Sequence, residues 1–318
     1  MQFYFAPMEG VTSSIYRRVH AELFPGVDRY YAPFLAPDGS GRCRASKLRD
    51  LLPENNRDID VVPQILCSRA EAFLSLARQL ADLGYREVDL NAGCPSATVV
   101  PKHKGAGMLA DLRALDDFLA EVFARCPLRV SVKTRLGLES AEEFPAILAI
   151  YNKYPIEQLI IHARDRAGMY RSRPDVGAFA AASRASRAPV CYNGDIFSPA
   201  DLDSVCAAAP GLSSVMAGRG AVANPALFRE LRGGAPLEAQ ELREFLDRLE
   251  AEVLAAGLSE RFALARLKEV WYYVIHMFPG SAAGAKRINK SQTLADYRAA
   301  VASLFAEGRF SPAAAFRG

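Results

Sequence analysis

Short apolar runs alternate with longer amphipathic stretches from the N-terminus to the glycine-rich segment 233–236. Eight of the short runs have the length and composition of buried strands. They are Phe3–Ala6, Tyr30–Phe34, Val61–Ile65, Glu87–Asn91, Arg129–Lys133, Gln158–His162, Pro189–Asn193 and Ser213–Ala217. Helical patterns lie between most of them, for example over Arg69–Leu83 and Asp111–Arg125, whereas the polar segment Leu35–Glu54 predicts a long loop with at most a short helix. Strands that alternate with helices predict a parallel sheet, and eight of them favour a closed (β/α)8 TIM barrel.

A different pattern begins after Gly233-Gly234-Ala235-Pro236. Apolar residues recur at helical spacing from Leu242 to Val253 and from Phe262 to Val274, and Thr293–Phe305 has the pattern of a last helix. Glycine and proline together interrupt regular structure, so this segment is the best candidate for a domain boundary. We therefore expect a barrel over residues 1–234 and a small all-helical domain over residues 235–318.

Composition narrows the possible environments of the protein. The chain has 318 residues, of which 50% are hydrophobic and 24% charged, and its net charge of +3 permits nucleic-acid contact without requiring it. The six cysteines are scattered singly, with no pairing or histidine spacing that predicts a metal site or a disulfide framework. Because we find neither a signal peptide nor a long apolar run, we expect a cytoplasmic protein without membrane contact. No feature indicates an oligomer, and we take a monomer as the expectation.

The pentapeptide Asn91-Ala92-Gly93-Cys94-Pro95 follows the predicted strand Glu87–Asn91 directly. A thiol at the mouth of a strand, beside a proline that fixes the turn, can supply a proton or act as a nucleophile. A buried structural cysteine is the alternative, because free cysteine is among the most buried residue types. These five residues alone leave both interpretations open.

The ends of the neighbouring strands favour a chemical role. Active sites of such barrels lie at the carboxyl ends of the strands, and seven of the predicted strands end in polar or glycine-rich segments. These segments contain Pro7-Met8-Glu9-Gly10, Gln64, Asn91 and Cys94, Lys133 and Arg135, His162 and Arg164, Asn193-Gly194-Asp195, and Gly218-Arg219-Gly220. Each has a local explanation, such as a turn or a core histidine. Their convergence on one end of the barrel indicates a ligand-binding cradle.

The residue types in this cradle suit a flavin. Lys133, just inside the barrel mouth, is poorly solvated, and an anionic isoalloxazine edge would give it a partner. Gln64 and Asn193 carry the donors and acceptors that a pyrimidine-like edge requires. The loops after the last two strands commonly bind phosphate through glycine amides and a helix N-terminus, and Arg219 adds a charged fork.

No dinucleotide fingerprint accompanies this cradle. The segments that begin at Gly105-Ala106-Gly107 and at Gly218-Arg219-Gly220 both lack the third glycine of GxGxxG. A nicotinamide, if one is used, would therefore dock transiently over the flavin.

In their residues and their order along the chain these motifs resemble those of the tRNA-dihydrouridine synthases. The resemblance spans roughly residues 4–230, and the helical tail fits the family's C-terminal domain in length and type. The matching segments are Ala6-Pro7-Met8-Glu9-Gly10-Val11, Gln64, Val88-Asp89-Leu90-Asn91-Ala92-Gly93-Cys94-Pro95, Val132-Lys133-Thr134-Arg135-Leu136-Gly137, Ile161-His162-Ala163-Arg164, Asn193-Gly194-Asp195-Ile196 and Met216-Ala217-Gly218-Arg219-Gly220. One position departs from the pattern: Ala97 stands where many members have a lysine.

The resemblance implies an enzyme that holds FMN non-covalently, takes electrons from NADPH and reduces the C5=C6 bond of uridine in tRNA to dihydrouridine. It implies that Cys94 donates a proton and that Asn91 lies near the substrate base, and we assign Arg135 and Arg164 to substrate contacts as well. The residues expected to hold FMN are Pro7, Met8, Glu9, Gln64, Lys133, His162, Asn193, Gly194, Asp195, Gly218 and Arg219.

Contacts with the rest of the RNA are expected from the helical tail. Lys286, Arg287 and Lys290 cluster in the sequence near Trp271-Tyr272-Tyr273, and basic residues beside aromatics suit RNA. A solvated basic face beside core aromatics is the alternative. A second candidate patch lies in the loop after the second strand, at Arg42, Arg44, Lys47 and Arg49.

Two other functions fit parts of the sequence. An FMN barrel reductase that acts on a small molecule, such as a dihydroorotate-type dehydrogenase, would not need the basic helical tail. A non-catalytic RNA-binding protein could keep the barrel, although Cys94 and the complete flavin set argue against it.

Overall fold

The strands of the computed structural model, which describes residues 1–38, 41–314 and 316, form one parallel sheet. Within these residues the strands are β1 Gln2–Phe5, β2 Arg29–Tyr31, β3 Val61–Val62, β4 Gln64–Ile65, β5 Glu87–Ala92, β6 Arg129–Gly137, β7 Leu159–Asp165, β8 Val190–Asn193 and β9 Ser214–Ala217. Their order is β3-β2-β1-β9-β8-β7-β6-β5-β4. Only Pro63 separates β3 from β4, so these two short strands act as one, and the sheet closes on itself. The predicted eight-stranded TIM barrel is confirmed.

Helices surround the sheet and cover its outer face. Over the barrel they are α1 Ser14–Leu23, α2 Ala45–Arg49, α3 Ala70–Asp82, α4 Leu112–Arg125, α5 Phe144–Tyr151, α6 Val176–Ala185, α7 Pro199–Ala208, α8 Arg219–Ala223 and α9 Leu227–Leu231. The prediction for α4 is confirmed to within a residue, because Asp111 caps the helix by accepting hydrogen bonds from the N–H groups of Arg113 and Ala114. The loop predicted after β2 contains the short α2 and a turn of 3-10 helix at Pro53–Asn55.

The side chains that point into the barrel form two layers along its axis. Near the amino ends of the strands an apolar group includes Tyr4, Tyr31, Ile160, Cys191 and Met216, all buried. At the carboxyl ends the same inward positions carry polar side chains, namely Gln64, Asn91, Lys133, His162 and Asn193. The strand register pairs Asn91 with Lys133 and His162 with Asn193, so these side chains share one rim.

In the described part of the chain after the barrel, four further α-helices follow: α10 Ala239–Ala255, α11 Glu260–Val274, α12 Ala282–Lys290 and α13 Leu294–Glu307. They pack onto the barrel through α10 against α1, where the rings of Phe245 and Tyr16 lie 5.5 Å apart, and through α11 against α8. Trp271 lies in their core, where its indole N–H donates to the Tyr297 hydroxyl at 2.8 Å. Among the described residues no helix has both the length and the apolar character needed to cross a bilayer.

Candidate active site

Cys94 lies two residues beyond the end of β5, and its backbone is held on both sides. The Asn91 side-chain oxygen accepts hydrogen bonds from the N–H groups of Gly93 and Cys94, at 3.1 and 2.9 Å. The Gly93 carbonyl accepts from Arg135 Nε at 2.9 Å, and the Cys94 carbonyl accepts from the N–H of Ala106 at 3.0 Å. The thiol is half-buried and is not in a disulfide. The turn is therefore held by hydrogen bonds on both sides, while Cys94 itself stays partly accessible.

Two glycines allow a neighbouring segment to pack against this turn. Gly105 has a φ of +57°, and a Cβ placed on it would lie 2.8 Å from the Cβ of Cys94. A Cβ on Gly107 would lie 2.4 Å from the carbonyl oxygen of Val100. In the sequence these glycines stand out only as part of an incomplete nucleotide-binding motif. Their role in the structure is to bring the 3-10 helix Gly105–Ala110 against Cys94.

Lys133 projects from β6 toward the middle of the rim. Its ammonium donates to the side-chain oxygen of Asn193 at 2.7 Å, and the amide nitrogen of Asn193 donates to the Met216 carbonyl at 2.9 Å. Burial, followed by the charge of Arg135, lowers the pKa of Lys133 to about 8, while Asp89 acts in the opposite direction. The Asp89 carboxylate thus balances the charge of the Lys133 ammonium only in part. A buried cation of this kind favours an anionic ligand.

His162 is buried beside Arg164, with its Nε2 3.1 Å from a guanidinium nitrogen. A guanidinium can only donate, so Nε2 is the acceptor and the proton of the neutral ring lies on Nδ1. Burial, followed by the charges of Arg135 and Lys133, lowers the pKa of His162 well below its usual value. His162 is therefore a neutral hydrogen-bond donor at physiological pH.

A cationic cluster lies between the loops that follow β7, β8 and β9. Asp195 forms ion pairs with Arg164, through both carboxylate oxygens, and with Arg219 at 2.6 Å. Two guanidinium groups share one carboxylate, so the cluster carries a net positive charge. Above it, the ring of Tyr170 lies 4.3 Å from the Arg219 guanidinium carbon. Tyr170 was missed by the sequence analysis; its nearness to His162 and Arg164 in the sequence is the signal that could have indicated it.

The loop after β1 borders the same cluster. A Cβ on Gly218 would lie 3.1 Å from both the Cβ of Ala6 and the sulfur of Met8, so the loops after β1 and β9 touch there. Pro7 and Met8 are half-buried. Glu9 is exposed and its carboxylate pairs with Lys47 at 2.5 Å.

Comparison with a protein-family model shows which family the chain belongs to. The model described as dihydrouridine synthase (Dus) matches residues 4–301, nearly the whole chain. The chain belongs to the dihydrouridine synthase family. As a member it is an enzyme that uses a flavin to reduce uridine in tRNA to dihydrouridine. The small-molecule alternative and the non-catalytic alternative are accordingly not favoured.

Individual relatives agree with this assignment. The chain is 29% identical over 317 residues to the tRNA-dihydrouridine synthase B of Pseudomonas putida, covering 96% of this chain and 92% of the relative. It is 30% identical to the tRNA-dihydrouridine(16) synthase of Cupriavidus necator, with 85% and 89% covered.

Solved structures match the barrel at lower sequence identity. Morphinone reductase gives a TM-score of 0.54 at 12% identity, covering 75% of this chain and 87% of that one. A variant of NCR from Zymomonas mobilis gives 0.52 at 17% identity, with 74% and 87% covered. These two structures share the fold.

The RNA residues predicted for this dihydrouridine synthase fall into two groups. Lys286, Arg287 and Lys290 lie on α12, among the helices that follow the barrel. Arg135 and Arg164 lie at the rim itself, where Arg135 donates to the carbonyls of Gly93 and Asp165. Both rim arginines are buried, so their observed contacts organise the loops.

The aromatic residues near the basic helix differ in environment. Trp271 is a core residue, as the alternative interpretation expected, whereas the side chain of Tyr272 is 62% exposed. Lys268 was missed by the sequence analysis; its ammonium donates to the carbonyls of Asn289 and Ser291, where α12 ends. Ala97, where many dihydrouridine synthases have a lysine, is exposed in the turn after Cys94.

A cavity of about 340 Å³ opens at the opposite end of the barrel. It contains none of the predicted site residues. Its lining is polar and comprises Gln2, Tyr4, Asp28, Arg29, Asp60, Glu157, Gln158, Pro189 and Ser213.

Proposed function

We propose that this dihydrouridine synthase binds FMN at the carboxyl rim of the barrel and uses Cys94 to protonate the uracil ring. NADPH is proposed to reduce the flavin before each turnover. The observation that carries the proposal is the placement of Cys94. Its backbone is fixed by Asn91 and Ala106, and its half-buried thiol shares a rim with the incompletely compensated Lys133.

The donor set at the rim fits a flavin. Lys133 offers a cation to the electron-rich pyrimidine edge, and His162 offers a neutral N–H. Gln64 and Asn193 are amides that supply both donors and acceptors beside them. When bound, FMN supplies the hydride that adds to C6 of the uracil ring.

The cluster after β7, β8 and β9 fits the phosphate of FMN. Arg219 provides a guanidinium whose charge Asp195 neutralises only in part, because Asp195 also pairs with Arg164. Gly194 and Gly218 add no side chain of their own to these loops, which lets Tyr192 and Met8 pack closely beside them. We assign Asp195 the role of orienting Arg164 and Arg219. Pro7, Met8 and Glu9, in the loop after β1, are proposed to form the adjacent wall of the FMN site.

Protonation is the step that this chain's own residues perform. Because C5=C6 is conjugated with the C4 carbonyl, hydride addition at C6 leaves charge on C5 and O4, and an acid must deliver a proton to C5. Cys94 is suited to this as a thiol, and Asn91 and Arg135 hold the turn that carries it. Asn91 is proposed to lie near the base, with Arg164 further along the same rim.

The remaining RNA is proposed to bind the helical region. A uridine in folded tRNA has to be swung out of its stack, which costs a few kcal/mol. Salt-dependent contacts with phosphates offset that cost. Lys286, Arg287 and Lys290 on α12 are the proposed contacts, with Tyr272 as an exposed aromatic nearby in sequence. In this proposal residues 235–318 form a separate helical domain, and the enzyme acts in the cytoplasm.

The test is to map dihydrouridine in unmodified tRNA after incubation with the purified, FMN-loaded protein and NADPH. Wild-type protein should produce dihydrouridine, and Cys94→Ala should keep its flavin and its NADPH oxidation while losing product. Cys94→Ser, which keeps a weaker acid of similar size, should retain part of the activity. Near-normal turnover by Cys94→Ala would remove Cys94 from its proposed role.

A further inference from the structure

A continuous series of hydrogen bonds connects Asp89, inside the barrel, to the backbone of Cys94. Asp89 accepts from the amide nitrogen of Gln64 at 2.6 Å, and the Gln64 oxygen accepts from the Asn91 amide nitrogen at 2.7 Å. The Asn91 oxygen then accepts from the Cys94 N–H at 2.9 Å. Asp89 and Gln64 are completely buried, and Asn91 is 8% exposed. Water therefore has little access with which to replace any of these bonds.

The direction of each bond in this series is determined by chemistry. A backbone N–H can only donate, so Asn91 must turn its oxygen toward Cys94 and its nitrogen toward Gln64. Gln64 must then turn its oxygen toward Asn91 and its nitrogen toward Asp89. An ionised carboxylate can only accept, and Asp89 therefore closes the series with the required polarity.

The carboxylate is energetically costly at this position. Burial raises the pKa of Asp89 to about 7, although the hydrogen bonds from Gln64 and Ser131 and the charge of Lys133 favour its ionised form. Buried charged groups can often be replaced by apolar residues without loss of stability. Packing of the barrel core therefore does not account for an aspartate here. Two roles remain, namely partial compensation of the Lys133 charge and the orientation of the two amides, and Asp89→Asn separates them because it removes the charge while keeping an acceptor.

We propose that Asp89 is a positioning residue that fixes the amide orientations of Gln64 and Asn91 and thereby holds the Cys94 turn in place for proton transfer. The inference deepens the proposed function and rests on the role given there to Cys94. Asp89 touches neither substrate nor flavin in this scheme. It acts through two side chains that line the rim, and its effect should appear in the chemical step rather than in tRNA binding.

Three substitutions separate positioning from simple packing. Asp89→Leu has a similar volume and removes the acceptor. Asp89→Asn keeps an oxygen for Gln64 as long as its nitrogen faces the hydroxyl of Ser131, which donates to Asp89 at 3.1 Å in the wild type. Ser131→Ala removes that hydroxyl and leaves the series to Cys94 intact. Combining Asp89→Asn with Ser131→Ala removes the hydroxyl that would orient the new amide.

The experiment uses FMN-loaded enzyme and two measurements. Iodoacetamide alkylation of each cysteine is followed by peptide mass spectrometry, with the half-buried Cys126 and Cys206 as internal references. In parallel, kcat and KM are measured on unmodified tRNA. The second measurement depends on turnover and the first does not.

Asp89→Leu should change the alkylation rate of Cys94 at least about fivefold and lower kcat by about 10- to 100-fold, because misplacing a reacting group by about 1 Å has effects of that size. KM for tRNA, flavin content and alkylation of Cys126 and Cys206 should stay within about twofold. Asp89→Asn and Ser131→Ala should each stay near wild type, whereas the double variant should lose far more than the sum of the two.

Several results would overturn the proposal. One is a folded, flavin-loaded Asp89→Leu with wild-type kcat and Cys94 alkylation; another is a parallel change at all three cysteines, which would indicate general loosening. If Asp89→Leu does not fold, additive effects in the double variant contradict the proposal. A wild-type enzyme that produces no dihydrouridine contradicts the proposed function instead, since alkylation of Cys94 is measured independently.

Discussion

Arg266 donates a hydrogen bond to the backbone carbonyl oxygen of Gly10 at 2.6 Å and so connects the C-terminal helix α11 to the loop after β1. Gly10 has a φ of +86°, and a Cβ on it would lie 3.0 Å from the carboxylate of Glu269, on the same helix as Arg266. The loop that carries Pro7 and Met8 is thereby fixed against the helices proposed to bind tRNA.

Arg266→Ala should loosen the loop after β1 from helix α11 and thereby weaken productive binding of tRNA at the rim. A hydrogen bond to a charged group at an exposed position contributes about 1 kcal/mol, so KM for tRNA should rise about fivefold while flavin content is unchanged. Steady-state kinetics on unmodified tRNA measure the effect. Arg261→Ala removes an exposed arginine from the same helix and serves as the control. Equal KM values for the two variants would contradict the prediction.

Gly105→Ala should impair the chemical step. The new Cβ would lie 2.8 Å from the Cβ of Cys94, so the turn has to shift, and turnover should fall at least about tenfold with flavin retained. Gly84→Ala is a matched control, because Gly84 also has a positive φ, +91°, but a Cβ there meets nothing within 4 Å. An alanine at a positive φ should cost each variant about 1 kcal/mol of unfolding free energy, and Gly105→Ala more because of the close contact, while only Gly105→Ala loses activity. Urea unfolding and single-turnover assays separate the two effects.

Lys133→Met should change the pH dependence of stability in the flavin-free protein. The pKa of Lys133 is lowered from 10.5 to about 8, so the unfolded chain binds this proton more tightly and the folded wild type is penalised. The penalty, up to about 3 kcal/mol, is complete below about pH 8 and disappears as the pH rises through 10.5.

The stability of Lys133→Met relative to wild type should therefore decline across that interval, as measured by urea unfolding at several pH values. Lys153→Met, which removes a lysine at an exposed ion pair with Asp116, serves as the control. A difference between Lys133→Met and wild type that is constant from pH 7 to pH 11 would refute the prediction.

Lys286→Glu combined with Lys290→Glu should weaken tRNA binding without affecting the flavin. Each lost phosphate contact lowers the slope of log K against log salt by about 1, so both affinity and salt dependence should fall. Oxidation of NADPH by the flavin should be unchanged. Arg78→Glu with Arg184→Glu makes the same change of charge on exposed positions of α3 and α6. Equal losses of affinity in the two double variants would indicate a general charge effect.

The barrel could be predicted because its strands are buried on both faces and appear as separate apolar runs. The end of β6 was harder to place: the strand continues from Lys133 to Gly137 through Thr134 and Arg135, which the hydropathy pattern does not favour. Helix α12 was not predicted, since only Gly284 and Ile288 on it are buried, and two positions four residues apart are too few to establish a helical pattern.

The candidate site could be predicted as a set of residues but not as a set of contacts. Strand ends identify which side chains reach the rim, because parallel strands all point the same way. The directions of those side chains depend on tertiary packing. Arg135 turns onto the Gly93 carbonyl, and Asp195 pairs with two arginines, and neither arrangement has a signature in the local sequence. A role for Asp89 was not predicted, because its hydrogen bonds to Gln64 and Ser131 come from other strands and leave no local pattern in the sequence.

The position of Trp271 has a practical consequence for spectroscopy. The chain contains a single tryptophan, and it lies in the core of the C-terminal helices. Its emission should be shifted to the blue in the native protein and shift to the red when those helices unfold. A flavin absorbs in the range where indole emits, so energy transfer would quench the signal. One fluorescence titration could then follow cofactor release and melting of the helical region as separate events in the same cuvette.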